Sequence, residues 1–224
     1  DDDVAGFTVT ETGGSTGVSE SGTTDLFSIV LNTQPGSDVV LSITSSDTDE
    51  ATVDSLIQFT SANWDTPQNV TVTGVDDGII DGTQTSTITI TVVDAITDDD
   101  FDAVADQTVS VTTADDDVAG FTIAETGGST GVDESGNTDV FTVVLNAEPS
   151  SNVVLDISSS DTGEATVTSS LTFTSANWDT PQNVTVTGID DDLIDGTISS
   201  TITVTVNDGS SDDNFDAVSD QTVS

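Results

Sequence analysis

Carboxylates are the only ionisable side chains in this sequence that could bind a metal ion or transfer a proton near neutral pH. Of the 224 residues 42 are Asp or Glu, and Lys, Arg, His, Cys and Tyr are all absent. Thiol catalysis, a Ser–His pair and zinc sites built from Cys or His are therefore excluded. Calcium prefers carboxylate and carbonyl oxygens, about six to eight of them at roughly 2.3–2.6 Å. We expect a calcium-binding protein that is not an enzyme.

The acids fall at positions where short strands end. Asp76 and Asp77 follow the alternating segment "NVTVTGV", and Asp81 comes four residues later. Neighbouring strand residues point to opposite faces, so both Asp76 and Asp77 can serve one site only where the strand has ended. Glu20 in "VSESG" and Asp47 in "SSDTDE" also lie between strands. Loops that converge on one rim of the fold would bring these carboxylates together.

The same acids recur in the second half of the chain. Candidate calcium ligands there are Glu134, Asp161, Asp190, Asp191 and Asp195. Two aspartate triplets complete the candidate set, Asp1, Asp2 and Asp3 at the start of the sequence and Asp115, Asp116 and Asp117 between the halves. A salt-adapted, solvated coat is the alternative interpretation of so many acids, but such coats are spread out, whereas these acids cluster at strand ends.

The formal net charge of −42 cannot be balanced within the chain, because no basic side chain is present. Two carboxylates about 4 Å apart repel by roughly 1 kcal/mol in water and by more where water is excluded. This repulsion opposes the compact state and calls for an external cation. It also excludes nucleic acid and anionic membrane surfaces as partners, since both are bound through Lys and Arg.

The chain is an internal repeat. Residues 1–110 align with 115–224 without a gap and are identical at most positions, including the block "FTSANWDTPQNVTVTG" at Phe59–Gly74 and Phe173–Gly188. The spacing is that of one ordinary domain rather than of a solenoid repeat. We predict two domains, residues 1–114 and 115–224. The missing initiator Met and the internal symmetry favour a piece of a longer tandem array.

Each repeat has the pattern of an all-β domain. Apolar residues recur at every second position, so that Phe27, Ile29 and Leu31 of "LFSIVLN" are predicted to share one face. The same pattern runs through "VVLSIT", "QNVTVTGV", "STITITVV" and "QTVSVT" of the first repeat, with Thr at most outward positions. Alternation with a period of two is typical of strands that bury one face. About seven short strands in roughly 110 residues, without helical periodicity, predict an immunoglobulin-like sandwich. Trp64 and Trp178 are expected to pack on the core rather than to stack on a carbohydrate. The acidic segment Thr97–Asp106 is either a solvated loop or a second ligand loop.

Two motifs resemble the Calx-β domain family. "NVTVTGVDDGIIDGTQTSTITITV" is similar to the family's strand, paired aspartates, acidic turn and second strand, and "TADDDVAGFT" is similar to its domain junction. The resemblance covers both repeats and implies two tandem seven-stranded sandwiches that bind Ca²⁺ at one end, partly through the linker. It implies ligands at Glu20, Asp47, Asp76, Asp77, Asp81 and Asp115–Asp117. Gln84 and Ile198 stand where the family often has another acid, which implies one ion fewer.

Three functions remain open at this stage. Near-identical tandem copies favour an extracellular structural repeat of a cell-surface adhesin or filament, stiffened by calcium at the junction and in contact with adjacent repeats or self-associated into a fibre. A calcium sensor is the second possibility, and a module that binds a glycan or a neighbouring cell is the third. A glycosidase would need an aromatic-lined cleft between two carboxylates, which two Trp residues do not supply.

Overall fold

The computed structural model describes residues 3–194 and 196–224 and is all-β, as the sequence predicts. The chain divides into two compact units. The first comprises the described residues up to Asp77 together with Asp81–Asp116, and the second comprises Gly78–Ile80 and Asp117–Ser224. The described helices are 3-10 turns of three residues each, and none is long and apolar enough to cross a membrane.

The first unit is a sandwich of two sheets with nine strands among its described residues. The strands are β1 (Phe7–Glu11), β2 (Thr16–Ser19), β3 (Thr24–Leu31), β4 (Val39–Ser45), β5 (Ala51–Val53), β6 (Leu56–Phe59), β7 (Gln68–Gly74), β8 (Gln84–Val92) and β9 (Gln107–Ala114). One sheet has the order β1-β3-β7-β5 and the other β2-β9-β8-β4-β6. All pairs are antiparallel except β2 with β9, which is parallel.

The strand count exceeds the seven that the family resemblance implied, because the chain changes sheets near its start. Gly13 and Gly14 adopt φ of 73° and 85°, a left-handed conformation that favours glycine. They separate β1, in the first sheet, from β2, in the second, within one 3-10 turn (Thr12–Gly14). The three-residue strand β5 is the other short element, at the edge of the first sheet.

The second unit repeats the architecture with eight strands among its described residues. They are β10 (Phe121–Glu125), β11 (Thr138–Leu145), β12 (Val153–Ser159), β13 (Ala165–Val167), β14 (Ser170–Phe173), β15 (Gln182–Gly188), β16 (Ile202–Val206) and β17 (Gln221–Val223). The sheets have the orders β10-β11-β15-β13 and β14-β12-β16-β17. The other 3-10 turns among the described residues are Asp94–Ile96, Asp99–Phe101, Thr126–Gly128, Asp208–Ser210 and Asp213–Phe215.

The core of each unit consists of the apolar residues of the alternating strands. In β3, Phe27 and Ile29 are fully buried while the residues between and beside them are not. Ile88 and Ile90 of β8 face them from the other sheet as members of the same cluster. Period-two alternation therefore buries one face of each sheet and leaves Thr and Ser toward water, as the sequence predicts.

Gly74, at the end of β7, is held against the backbone of β2. A Cβ added at Gly74 would lie 2.1 Å from the carbonyl oxygen of Ser19. We expect Gly74→Ala to destabilise the first unit by about 1–3 kcal/mol or more, because the clash is with backbone that cannot rotate away. Chemical denaturation measures the loss. Gly131→Ala is the control, since nothing lies within 4 Å of a Cβ there. Equal stability of the two variants would contradict this close contact.

Candidate metal centre

The ends of several strands of the first unit meet at one end of the sandwich. Parallel pairing of β2 with β9 sets Ser19 opposite Ala114, so the chain leaves both strands side by side. Antiparallel pairing sets Ala51, the first residue of β5, opposite Gly74, the last of β7. The contact between Gly74 and Ser19 then joins the two sheets at this end. Acids that follow or precede these strands are brought together as a consequence.

Glu20 is the most buried acid of this group. It directly follows β2, its side chain is 1% exposed, and its N–H donates to the carbonyl of Ala114 at 3.1 Å. Neither carboxylate oxygen has a hydrogen bond of normal geometry. A buried carboxylate without hydrogen bonds or a counter-charge is costly, so its place in the fold requires an explanation.

Glu50 and Asp81 meet Glu20 at this end. Glu50 precedes β5, is 8% exposed, and is fixed by a bond from the N–H of Val75 to its carbonyl at 2.9 Å. Asp81 is exposed and lies on the loop before β8. One carboxylate oxygen from each of the three lies within 4.8 Å of the others. Two ligands on opposite sides of a calcium ion are about 4.6–5.2 Å apart, so this spacing fits one shared ion.

The electrostatics of the group oppose the ionised state. The pKa of Glu20 is raised from 4.5 to about 7, chiefly by burial and also by the charges of Asp115, Asp77 and Glu50, while the backbone N–H of Asp116 lowers it in part. Burial likewise raises the pKa of Glu50, with contributions from Asp81, Asp77, Asp47 and Asp115. At about 4.8 Å two charges repel by roughly 3–4 kcal/mol at an effective dielectric constant near 20. Only a proton or an external cation can relieve this repulsion, because the chain has no basic side chain.

Asp77 and Asp115 border the same group. Both are half-buried, and Asp77 places a carboxylate oxygen within 4.8 Å of one from Glu20. Asp115 accepts a hydrogen bond from the N–H of Gly82 at 2.8 Å, which ties the end of β9 to the loop that carries Asp81. Five acids of the first unit, Glu20, Glu50, Asp77, Asp81 and Asp115, therefore interact at one end of the sandwich.

The remaining predicted ligands of the first set are not among these five acids. Asp47, Asp76, Asp116 and Asp3 are exposed, and Asp117 is half-buried and belongs to the second unit. Asp47 still acts on the group, since its charge raises the pKa of Glu50. Asp1, Asp2 and Asp195 lie outside the described residues. Their assignment as ligands stays a prediction.

The predicted ligands of the second unit are more open to water. Glu134, Asp161 and Asp190 are exposed, and the half-buried Asp191 accepts from the N–H of Leu193 at 2.8 Å. Among the described residues of this unit no three acids come close enough to share an ion. Glu134 differs from its counterpart Glu20 because the segment before it, residues 130–133, is not paired in a sheet.

Glu50 is the one member of the group that sequence reasoning missed. Only Asp47 was selected from "SSDTDE", because that loop offers three acids and their order does not show which one turns inward. The position of Glu50 directly before "ATV" could have identified it, because the small buried residue Ala51 starts a strand there. Its counterpart in the second repeat, Glu164, precedes Ala165 in the same way.

Asp98, in the acidic segment Thr97–Asp106, has a structural role. The sequence analysis offered only a solvated loop or a second ligand loop for this segment. Asp98 is 8% exposed and accepts from the N–H and hydroxyl of Ser37 at 2.6 and 3.2 Å and from the N–H of Asp100 at 3.1 Å. The N–H groups of Ser37 and Asp100 lower the pKa of Asp98 despite its burial. Asp212 repeats the arrangement in the second unit with Ser150, Ser151 and Asn214. These two acids hold loops together.

The two tryptophans pack against the cores, as predicted. Trp64 is half-buried against the first core and Trp178 against the second. The carbonyl of Trp64 accepts from the N–H of Leu31 at 3.1 Å, and that of Trp178 accepts from Leu145 at the same distance. The tryptophans thus hold the segment after "FTSAN", which both repeats share, against the end of β3 or β11.

Comparison with known proteins gives structural likenesses of low identity. No family model and no curated protein matches the chain. A crystal structure of the calcium binding domain CBD12 of CALX1.1 is 13% identical, with a TM-score of 0.37 over 89% of this chain and 80% of that one. The S-layer protein SbsC is 14% identical, with a TM-score of 0.38 over 99% of this chain and 28% of that one. An endo-fucoidan hydrolase of glycoside hydrolase family 107 is 11% identical, with a TM-score of 0.34 over 98% of this chain and 28% of that one. TM-scores this low carry no argument about family or function.

Proposed function

We propose that this chain is a calcium-binding structural repeat of an extracellular tandem array, in which calcium stiffens the junction between repeats. The observation that carries the proposal is the buried carboxylate of Glu20, which has no hydrogen bond of normal geometry and lies beside Glu50 and Asp81. A fold that buries this acid among others, in a chain without basic residues, is relieved by binding a cation.

Calcium fits the group better than the other candidate cations. Three carboxylates within 4.8 Å, with Asp77 and Asp115 beside them, supply several oxygens to one ion. Magnesium favours an octahedral shell at about 2.0–2.1 Å with several waters and few protein ligands, and zinc favours Cys and His. A proton would neutralise Glu20 alone and would leave the other acids to repel one another.

The position of the group at the end of β9 supports a role at the junction. Asp115 interacts with Glu20 and Glu50 and is the first of the three aspartates that link the repeats. The linker is too short to permit wide separation of the domains, but its charges favour bending when no cation is bound. Calcium would bind Asp115–Asp117 together with the acids of the first repeat and so restrict bending. An array of such repeats would serve as the stalk of a cell-surface adhesin or filament.

Small-angle X-ray scattering tests the mechanical part of the proposal. We expect the 224-residue chain to scatter as an extended rod in millimolar calcium and as an ensemble of smaller mean dimensions in EDTA. Replacing Asp115, Asp116 and Asp117 by Ser should remove this difference while both sandwiches stay folded, as circular dichroism would verify. Identical scattering of the wild-type chain in both buffers would refute stiffening by calcium.

A matched variant separates the linker from the general loss of charge. Asp99, Asp100 and Asp106 are exposed acids of the first unit away from the Glu20 group, and replacing them by Ser removes the same charge. This control variant should keep the full difference between calcium and EDTA. If it behaves like the linker variant, the effect is electrostatic screening and not binding at the junction.

A further inference from the structure

The second unit includes three residues of the first repeat, Gly78–Ile80, which form the tip of the turn between β7 and β8 and which we call the turn tip. The carbonyl of Gly78 accepts from the N–H of Glu148 at 2.6 Å, and Ile79 forms an isolated parallel bridge with the same residue. Ile80 is half-buried and packs on the hydrophobic core of the second unit. The turn tip is therefore held both through its backbone and through an apolar side chain.

The turn tip sits in a socket of the second unit that consists of Ala147, Glu148, Trp178 and Asn214. Gly78 lies against the indole of Trp178, so close that a Cβ added there would be 3.1 Å from the ring atom Cζ2. The side-chain amide of Asn214 donates to the carbonyl of Ile80 at 3.2 Å. An aromatic face on one side and an amide donor on the other thus fit the backbone of the turn tip.

The turn tip of the second repeat has a different sequence, Asp–Leu–Ile instead of Gly–Ile–Ile, with Asp192 at the position of Gly78. In the socket, a side chain at the first position of the tip would press on the ring of Trp178. An Asp would also place a carboxylate beside Glu148, whose Cβ is 4.0 Å from the same point. The chain has no basic side chain that could offset this charge, so an Asp–Leu–Ile tip fits the socket poorly.

The residues of the socket also differ between the repeats, although Trp178 lies in a block that both repeats share. Asp100 stands in the first repeat where the second has Asn214, and Thr33 stands where the second has Ala147. An ionised carboxylate only accepts hydrogen bonds, so an Asp at position 214 could not donate to the carbonyl of the turn tip. Ala147 is fully buried, whereas the larger Thr33 is half-buried. The positions of the socket that vary are those that suit a Gly–Ile–Ile tip.

We propose that this socket is a recognition site for the turn tip of the preceding repeat, which accepts Gly–Ile–Ile and rejects Asp–Leu–Ile. Ile80 supplies the apolar contact, and Gly78 and Asn214 set the selectivity. Specificity of this kind needs features that disfavour the wrong partner as well as contacts to the right one. The rule fixes the order of two near-identical domains, because a copy of the first repeat fits before the second repeat and a copy of the second repeat does not.

Hydrogen exchange at the amide of Glu148 measures occupancy of the socket in the intact 224-residue chain, because this N–H bonds to the turn tip. In EDTA we expect Gly78→Asp and Ile80→Ser each to lower its protection at least about tenfold, and Asn214→Asp to lower it about threefold or more, as the loss of one hydrogen bond implies. Amides of the β11–β15 ladder should stay protected, which verifies that the unit is folded. Unchanged protection of Glu148 in Gly78→Asp would overturn the selectivity, and unchanged protection in Ile80→Ser would overturn recognition of the tip.

Matched control variants separate the socket from general effects of charge and hydrophobicity. Ile194→Ser makes the substitution of Ile80→Ser at the counterpart position, where the side chain is fully exposed. Ser169→Asp adds the same charge as Gly78→Asp at an exposed position. Both variants should leave the exchange of Glu148 unchanged. A loss of protection in either control as large as that in Ile80→Ser would contradict a local recognition site.

The fluorescence of Trp178 tests the same contact from the aromatic side. In a Trp64→Phe background Trp178 is the single tryptophan, since the chain has two. Its emission should move to longer wavelength in Gly78→Asp and Ile80→Ser, because the ring exchanges its contact with the turn tip for water. It should not move in Ile194→Ser. An emission maximum that is identical in all of these proteins would contradict seating of the turn tip against the indole. Both measurements are made in EDTA, so their outcome is independent of calcium binding at the Glu20 group.

Discussion

Calcium should raise the unfolding temperature of the first unit by roughly 10–20 °C relative to EDTA. A ligand that binds only the folded state at a hundredfold excess over its dissociation constant stabilises by about 2.7 kcal/mol, and each kcal/mol shifts the midpoint of a domain this size by about 4–8 °C. The double substitution Glu20→Gln with Glu50→Gln should abolish this rise, because it removes the two buried carboxylates of the group. Differential scanning calorimetry of both proteins, with and without calcium, measures the shift.

The chain provides its own control for this experiment. Glu134 and Glu164 are the counterparts of Glu20 and Glu50 in the second unit, and Glu134 is exposed. Replacing both by Gln removes the same charge and should leave the calcium response of the first unit intact. An equal rise in unfolding temperature in NaCl of the same ionic strength would show that calcium acts only by screening. If both double variants lose the calcium-induced rise to the same extent, the Glu20 group is not the site.

Without calcium, the stability of the first unit should fall as the pH rises from about 4.5 to 7. Glu20 has a pKa of about 7 in the folded state against 4.5 when solvated, so the folded state binds more protons throughout this interval. Because the folded state binds more protons than the unfolded state over this interval, the free energy of unfolding decreases as the pH rises. The decrease is complete above about pH 7. Glu20→Gln should be more stable than wild type in EDTA at pH 7.5, and the difference should largely vanish at pH 4. Urea denaturation at both pH values measures it.

In calcium, the stability of the first unit of the wild-type chain should instead increase as the pH rises from about 4.5 to 7. The ion competes with the proton for the carboxylate, so calcium binding strengthens as Glu20 loses its proton. Glu134→Gln is the control at each pH, and it should follow the wild type because its carboxylate is already exposed. A Glu20→Gln variant that is less stable than wild type in EDTA at pH 7.5 would mean that this carboxylate is stabilised without a cation.

Most of the fold could be predicted from the sequence because alternation directly reports which face of a strand is buried. Phe27, Ile29 and Leu31 were predicted to share a face, and all three are buried. The extra strands were not predictable from alternation: β2 and β5 are three or four residues long, too short to show a period. Their pairing depends on partners that are far away in the sequence, such as β9 for β2.

The sequence by itself determined the chemistry of this protein: a chain of carboxylates without a single basic residue can neutralise buried charge only with protons or external cations. It also showed which strand ends carry the acids. Only the tertiary structure decided that Glu20 and Glu50 turn inward to meet Asp81, whereas Asp76 and Asp47 remain exposed and Asp98 joins two loops. The physical reason is that the burial of a loop side chain depends on the backbone packed around it. For Glu20 that backbone includes β9, about ninety residues later in the chain.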